Sequence, residues 1–172
     1  MARRLFLLRH AKAETPSEGD DAARALTERG RADAARVGAW LGAHAGAHLI
    51  VAHSSAVRSR QTAEIALKFL SPATKLVEIP AIYEAEFGDL LGVARQLPDL
   101  AESALIVGHN PGLAEFALRL CGSGDAAALK AMARTFPTAA LAVIGLPSAL
   151  WRELSPGAGV LERFITPEQI EA

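Results

Sequence analysis

Arg9 and His10 close a short apolar run, Leu5-Phe6-Leu7-Leu8, so a guanidinium and an imidazole stand side by side where an extended segment should end. Two further segments end in the same way. His48 to Ala52 runs into His53-Ser54-Ser55 with Arg58 just beyond, and Ala104 to Gly108 runs into His109-Asn110. A guanidinium matches the oxygens of a phosphoryl group with paired N–H donors, so Arg9 and Arg58 form a candidate clamp. Imidazole is a competent nucleophile toward phosphorus when its far nitrogen is held by a hydrogen bond. A second imidazole can stabilise charge growing on the equatorial oxygens. One of the two histidines would attack and the other would stabilise. Helix N-termini after Ser55 and Asn110 would add backbone donors, which places Asn110 with Arg9, Arg58 and His109 as candidate substrate-binding residues. Since the arginines neutralise the phosphate, this chemistry needs no metal, and no cofactor is expected.

These residues act together only if the elements carrying them converge. Short β-like runs alternate with longer helical patterns, which predicts an α/β layered fold with a largely parallel sheet. Strands are expected at 4–9, 48–52, 75–79 and 104–108. Helices are expected from a Thr27 cap to about Ala45, from a Ser54 or Ser55 cap to about Leu70, over 88–97, from Pro111 to Leu120, and over 125–134. Residues 11–26 read as a polar loop, and Gly122-Ser123-Gly124 as a helix break. Thr138–Ile144 and Leu150–Leu154 are expected to pair as a hairpin around Gly145–Ser148, with Val160–Ile165 as a last strand. In open α/β sheets ligands bind outside the carboxyl ends of the strands, so the three reactive groups should meet on one rim.

The 172 residues suffice for one domain spanning 1–172 with a full hydrophobic core. The net charge of −1 gives no support to nucleic-acid binding. The opening apolar run is too short for a signal peptide or a membrane span, and the single Cys121 cannot form an internal disulfide. A cytoplasmic protein with no membrane partner is expected. Other reactive residues read as structural. His44 and His48 have i, i+4 spacing but no carboxylate nearby to complete a metal site. Cys121 lacks the arginine six positions on that a cysteine-dependent phosphatase loop requires, and no Gly-x-x-x-x-Gly-Lys loop is present. His53 supports the rim, either through a structural hydrogen bond or by substrate contact.

Leu7-Leu8-Arg9-His10-Ala11-Lys12, Ser54-Ser55 with Arg58 and Gln61-Thr62-Ala63, and Val107-Gly108-His109-Asn110-Pro111-Gly112 together resemble the histidine phosphatase superfamily, which includes the cofactor-dependent phosphoglycerate mutases. Within it the chain is similar to the small SixA-type phosphohistidine phosphatases. Arg24-Ala25-Leu26-Thr27-Glu28-Arg29-Gly30, Tyr83-Glu84-Ala85 and Phe136-Pro137-Thr138-Ala139-Ala140 also fit that group. The likeness implies a phosphoglycerate mutase-like, three-layer α/β fold, with a mostly parallel mixed sheet of about six strands, one of them antiparallel, flanked by helices. It implies that His10 becomes phosphorylated and that Arg9, Arg58 and His109 bind and polarise the phosphate. The family's proton donor falls between the second and fourth motifs. Glu84, after Ile82-Tyr83, is the first choice and Glu86 the second.

Two departures from the family pattern stand out, Ala56 at the entry to Arg58 and Lys12 just beyond His10. Ala56 stands where many relatives carry proline, and Lys12 replaces the glutamate of mutase-like members, which counts against mutase activity. Without the long insertions that cover the site in larger mutases, a short open site suits a phosphohistidine carried on a signalling or phosphotransfer protein. The alternatives are a phosphatase of small phosphoesters such as sugar phosphates, and a phosphate- or phosphohistidine-binding module with little turnover. An intact His10, Arg58 and His109 argue against the last.

Overall fold

Leu5, Phe6, Leu7 and Leu8 are all fully buried, which a strand achieves only when both of its faces are covered. They form the middle of β1 (Arg3–Arg9) in the computed structural model, which describes residues 3–16, 19–147 and 150–170. Successive strand side chains point to opposite faces. Leu5 and Leu7 accordingly pack with Leu90, Phe116 and Met132. Phe6 and Leu8 pack with Val37, Leu41 and Ala63 on the other side. Each fully buried side chain of this size contributes roughly 1.5–3 kcal/mol, so the apolar run that ends in Arg9-His10 also anchors both cores.

The remaining helices are α1 (Glu28–His44), α2 (Val57–Leu67), α3 (Phe87–Arg95), α4 (Gly112–Leu120) and α5 (Ala126–Arg134). The remaining strands are β2 (Leu49–His53), β3 (Lys75–Glu78), β4 (Ser103–Gly108), β5 (Cys121–Gly124), β6 (Leu141–Leu146) and β7 (Gly159–Ile165). One seven-stranded sheet runs in the order β3-β2-β4-β1-β6-β7-β5. β6 is antiparallel to both of its neighbours, and every other adjacent pair is parallel. Helices α1 and α2 cover one face, while α3, α4 and α5 cover the other. The result is the three-layer mixed sheet with one antiparallel member.

Two expectations need correction. Gly122-Ser123-Gly124, read as a helix break, does follow the end of α4 at Leu120, but the sheet reaches seven strands because with Cys121 it also forms a short edge strand paired to β7. Its glycines remove the side-chain alternation by which a strand is recognised. Leu150–Leu154 is not a strand, and the antiparallel partner of β6 across the following connection is β7. Trp151–Glu153 forms a 3-10 turn that buries the Trp151 ring, whose Nε1 donates to Ala101 O at 2.9 Å. Burying that indole in the core outweighs the strand preference of its segment. Ser148, within the expected hairpin turn, and the Met1-Ala2 start lie outside the described residues.

The polar loop after β1 is tied down at its far end. Thr27 caps α1, accepting from Gly30 N at 3.0 Å, and its own N–H donates to Lys12 O at 2.9 Å. A Cβ on Gly30 would stand 2.1 Å from Lys12 O, so only glycine lets the loop lie against the helix there. Among the described residues no helix is long and apolar enough to cross a membrane.

Candidate active site

β2, β4 and β1 lie next to one another and run parallel, so their carboxyl ends stand nearly level. Arg9 pairs with Gly108, and His53 with Val107. This register brings residues far apart in sequence onto one rim, and the His10 and His109 ring centroids are 5.1 Å apart.

His10 is buried, with 7% of its surface exposed. Its Nδ1 lies 2.8 Å from Ala11 O. A carbonyl can only accept, so the neutral ring carries its proton on Nδ1 and keeps the lone pair on Nε2. Ala11 is itself held, because its N–H donates to Thr62 Oγ1, which donates to Arg58 O at 2.7 Å. Arg58 Nε donates to His10 Nε2 at 3.3 Å. Burial lowers the His10 pKa to about 4; the bond to Ala11 O opposes this, and the charges of Arg58 and Arg9 add to it. His109 is lowered to about 3 by burial, then by the charges of His10 and Arg58.

Both imidazoles are therefore neutral at physiological pH. Side-chain NMR at pH 5 should find both rings still neutral, where a histidine at the ordinary value of 6.5 is mostly protonated. Protonated rings at that pH would contradict the burial argument. Stability follows the same sign. The contribution from keeping the rings neutral is fully present above about 6.5 and is lost as pH falls toward about 4 for His10 and about 3 for His109.

Arg58 is nearly fully buried and engaged on all sides. Its terminal nitrogens donate to Asp21 O at 2.8 Å and to Asp21 Oδ2 at 3.0 Å. Asp21 begins a 3-10 turn within the loop after β1, where its carboxylate also accepts from Arg24 at 2.8 Å and from Tyr83 Oη at 3.0 Å. Against the opposing effect of partial burial, the bonds from Tyr83, Arg58 and Arg24 lower the Asp21 carboxyl to about 2. Asp21 thus stays charged and fixes the guanidinium fork with Nε turned toward His10.

Arg9 donates to Phe136 O at 3.1 Å, and Asn110 Nδ2 donates to the same carbonyl at 2.8 Å. Arg9 Nε, His109 Nδ1 and Asn110 Oδ1 are buried with no protein partner. Such groups are costly unless something else satisfies them. A phosphoryl group, which offers only acceptors when fully ionised, suits the arginine donor and a protonated Nδ1. The free Asn110 oxygen is an acceptor and does not suit a phosphoryl oxygen.

A cleft of about 600 Å³ opens beside these groups, lined by Arg58, Tyr83, Glu84, Glu86, His109 and Asn110 among others. Glu84 and Glu86 are both exposed on its rim. Glu84 has φ 53°, in the left-handed region that disfavours residues with a Cβ. Glu86 precedes α3, where its N–H donates to the Asp89 carboxylate at 2.9 Å. A Cβ on Gly112, at the start of α4, would stand 1.8 Å from Ala85 O. That glycine allows α4 to approach the segment carrying both glutamates.

The two serines before Arg58 do not cap α2. Its cap position is Ala56, with no side-chain hydrogen bond. Ser54 Oγ lies instead 2.6 Å from His109 Nε2 and accepts from Ala56 N at 3.3 Å. His53 is buried with Nδ1 bonded to Ser54 O at 2.7 Å, a structural contact. His44 stacks on Trp40 with ring centroids 4.0 Å apart, away from the rim. Burial pushes the Cys121 thiol up to about 11, which leaves it a poor nucleophile. Lys12 is exposed. Asp21, Tyr83 and Ser54 are the site residues that the sequence did not single out for these contacts. Nothing in loop composition marks Asp21 as the partner of an arginine 37 positions away.

The profile of the Histidine phosphatase superfamily (branch 1) matches residues 5–111. An uncharacterized protein of Mycobacterium tuberculosis (strain H37Rv) is 32% identical over 162 residues, covering 93% of this chain and 99% of that protein. A structure from Nakamurella multipartitia, named as a candidate phosphohistidine phosphatase SixA, superposes with a TM-score of 0.85 at 27% identity over 97% of each chain. Phosphoglycerate mutase from Plasmodium falciparum shares the fold, with a TM-score of 0.64 at 19% identity, covering 99% of this chain and 93% of that one. With a profile matching well over half of its length and a relative aligned almost end to end, the chain belongs to the histidine phosphatase superfamily.

Proposed function

We propose that this phosphatase acts on phosphohistidine carried by a protein, through a phosphorylated His10. The observation that carries the reading is the fixed polarity of the His10 ring. Ala11 O holds the Nδ1 proton, and the Nε2 lone pair faces Arg58 across 3.3 Å. Nε2 attacks phosphorus in line, an N–P bond forms, and the substrate's N–P bond breaks. Arg9, Arg58 and His109 take up the charge on the oxygens. The departing imidazole nitrogen takes a proton from Glu84, with Glu86 as the alternative donor. Water then attacks phospho-His10, gives a proton to the same carboxylate, and releases phosphate.

The leaving group favours this substrate over a sugar phosphate. Imidazole has a conjugate-acid pKa near ~6.5 and needs far less acid assistance than an alkoxide. The cleft rim is exposed at Glu84, Glu86 and Pro111, so a site on a protein surface can reach it. The similar structure named for a phosphohistidine phosphatase supports the same choice.

The test compares a phosphorylated histidine domain with a panel of sugar phosphates. A kcat/KM at least roughly 100-fold higher for the phosphohistidine protein is expected, a gap of about 2.7 kcal/mol. Preference for a sugar phosphate would replace this reading with a small-phosphoester phosphatase. Tight binding without turnover would replace it with a binding module.

Glu84 offers a separate test. Its left-handed backbone costs roughly 1 kcal/mol, which glycine would not incur. A Glu84→Gly variant should keep its melting temperature within a few degrees while losing turnover most severely on phosphoesters with poor leaving groups. An unaltered rate on such esters would transfer the proton-donor role to Glu86.

A further inference from the structure

Ser54 is fully buried at the end of β2 and is held on both sides. Its N–H donates to Ser59 Oγ at 3.2 Å, and Ser59 Oγ donates to Val107 O at 2.9 Å, two residues before His109. Its Oγ accepts from Ala56 N at 3.3 Å and lies 2.6 Å from His109 Nε2. A serine hydroxyl has one proton to give and lone pairs to receive. Ala56 N–H occupies one lone pair, and among the described residues no contact of Oγ other than His109 Nε2 can accept its proton. His109 Nε2 is then the acceptor for the Ser54 proton.

That direction has a consequence for the other ring nitrogen. If Nε2 accepts, the neutral ring must carry its own proton on Nδ1. His109 Nδ1 is buried with no protein partner, and the ring stands 5.1 Å from that of His10, within the cleft wall. A proton on Nδ1 makes it a donor to a phosphoryl oxygen. In the opposite tautomer a lone pair would face those oxygens and repel them. The choice of tautomer decides whether His109 helps or hinders.

We propose that Ser54 is a positioning residue that fixes His109 as the Nδ1–H tautomer, so a neutral imidazole serves as a donor to the phosphoryl group. The consequence for phosphate rests on the phosphatase reading; the tautomer does not. Ser54 touches neither substrate nor the reacting atoms and acts through His109. The same hydroxyl sets the tilt of the ring, because a bond of 2.6 Å leaves it little room to turn.

The decisive measurement uses the unmodified protein without any ligand. Long-range 1H–15N spectra of the histidine rings, with His109 assigned by its absence from a His109→Gln variant, report which nitrogen is protonated. Nδ1 is expected to carry the proton and Nε2 the lone pair. A proton on Nε2 would overturn the proposal, with no variant required. Ser54→Ala should then move His109 toward the Nε2–H form, whereas Ser54→Thr, which keeps the hydroxyl, should retain the wild-type tautomer. An unchanged tautomer in Ser54→Ala would equally overturn it.

Binding of inorganic phosphate supplies the second readout. Ser54→Ala should weaken it about 5- to 10-fold, the scale of one hydrogen bond, with circular dichroism unchanged. Unaltered phosphate binding by a variant whose tautomer had switched would remove the donor role from Nδ1. If the tautomer behaves as expected but wild-type protein hydrolyses no phosphorylated substrate, the proposed function falls and the role of Ser54 in the ring stands.

Discussion

A His10→Ala variant is expected to lose turnover by roughly 10⁴-fold or more, the scale on which removal of a nucleophile that acts in concert with its neighbours is felt. The reason is specific to this ring. On the proposed mechanism Arg9, Arg58 and His109 hold and polarise the phosphoryl group, while His10 supplies the lone pair, which its fixed Nδ1 proton leaves on Nε2 facing Arg58. Labelled substrate quenched during turnover should leave acid-labile, base-stable phosphate on the wild-type chain and none on the variant. Undiminished turnover by His10→Ala would end the phosphoenzyme mechanism. The variant also leaves Arg58 Nε without its partner, so circular dichroism should accompany the kinetics to show that the fold persists.

Arg58→Ala should cost about 10²- to 10³-fold in kcat/KM, comparable to the loss of a preorganised charge-stabilising donor. Two effects combine. The clamp loses its buried guanidinium, and Asp21 keeps a carboxylate that has lost its main cationic partner inside the site. That carboxylate then repels the incoming phosphoryl group. Arg58→Lys should not restore activity, because one ammonium cannot serve His10 Nε2, Asp21 O and Asp21 Oδ2 together. Adding Asp21→Asn to Arg58→Ala should recover part of the loss by removing the repulsion. A rate within a fewfold of wild type in Arg58→Ala would take Arg58 out of the clamp.

What was legible in the chain follows from where its physics is local. The apolar runs of β1, β2 and β4 are strong period signals, and each ends in the reactive residues that the register then aligns. Arg9, His10, Arg58 and His109 therefore converge as their positions in the sequence imply. β5 has no legible pattern because its glycines carry none, and the burial of Trp151 depends on contacts with α3 and with Ala101, distant in sequence. The contacts that tune the site were hidden for a related reason. Asp21 meets Arg58, and Ser54 meets His109, only after the sheet has formed. The serines looked like helix caps because that is what serine before a helix most often does. Here the hydroxyl serves a ring 55 positions away.

The Arg58 Nε that rests against His10 Nε2 also bears on reactions the protein avoids. A neutral, buried imidazole is vulnerable to stray alkylating and acylating compounds, which need only an accessible lone pair. With a guanidinium seated over that lone pair, an uncharged electrophile finds it covered and has nothing with which to draw the arginine aside. A dianionic group offers the guanidinium a stronger acceptor than a ring nitrogen does. On the proposed mechanism, the Nε2 lone pair is thus offered most readily to a substrate that brings negative charge to Arg58.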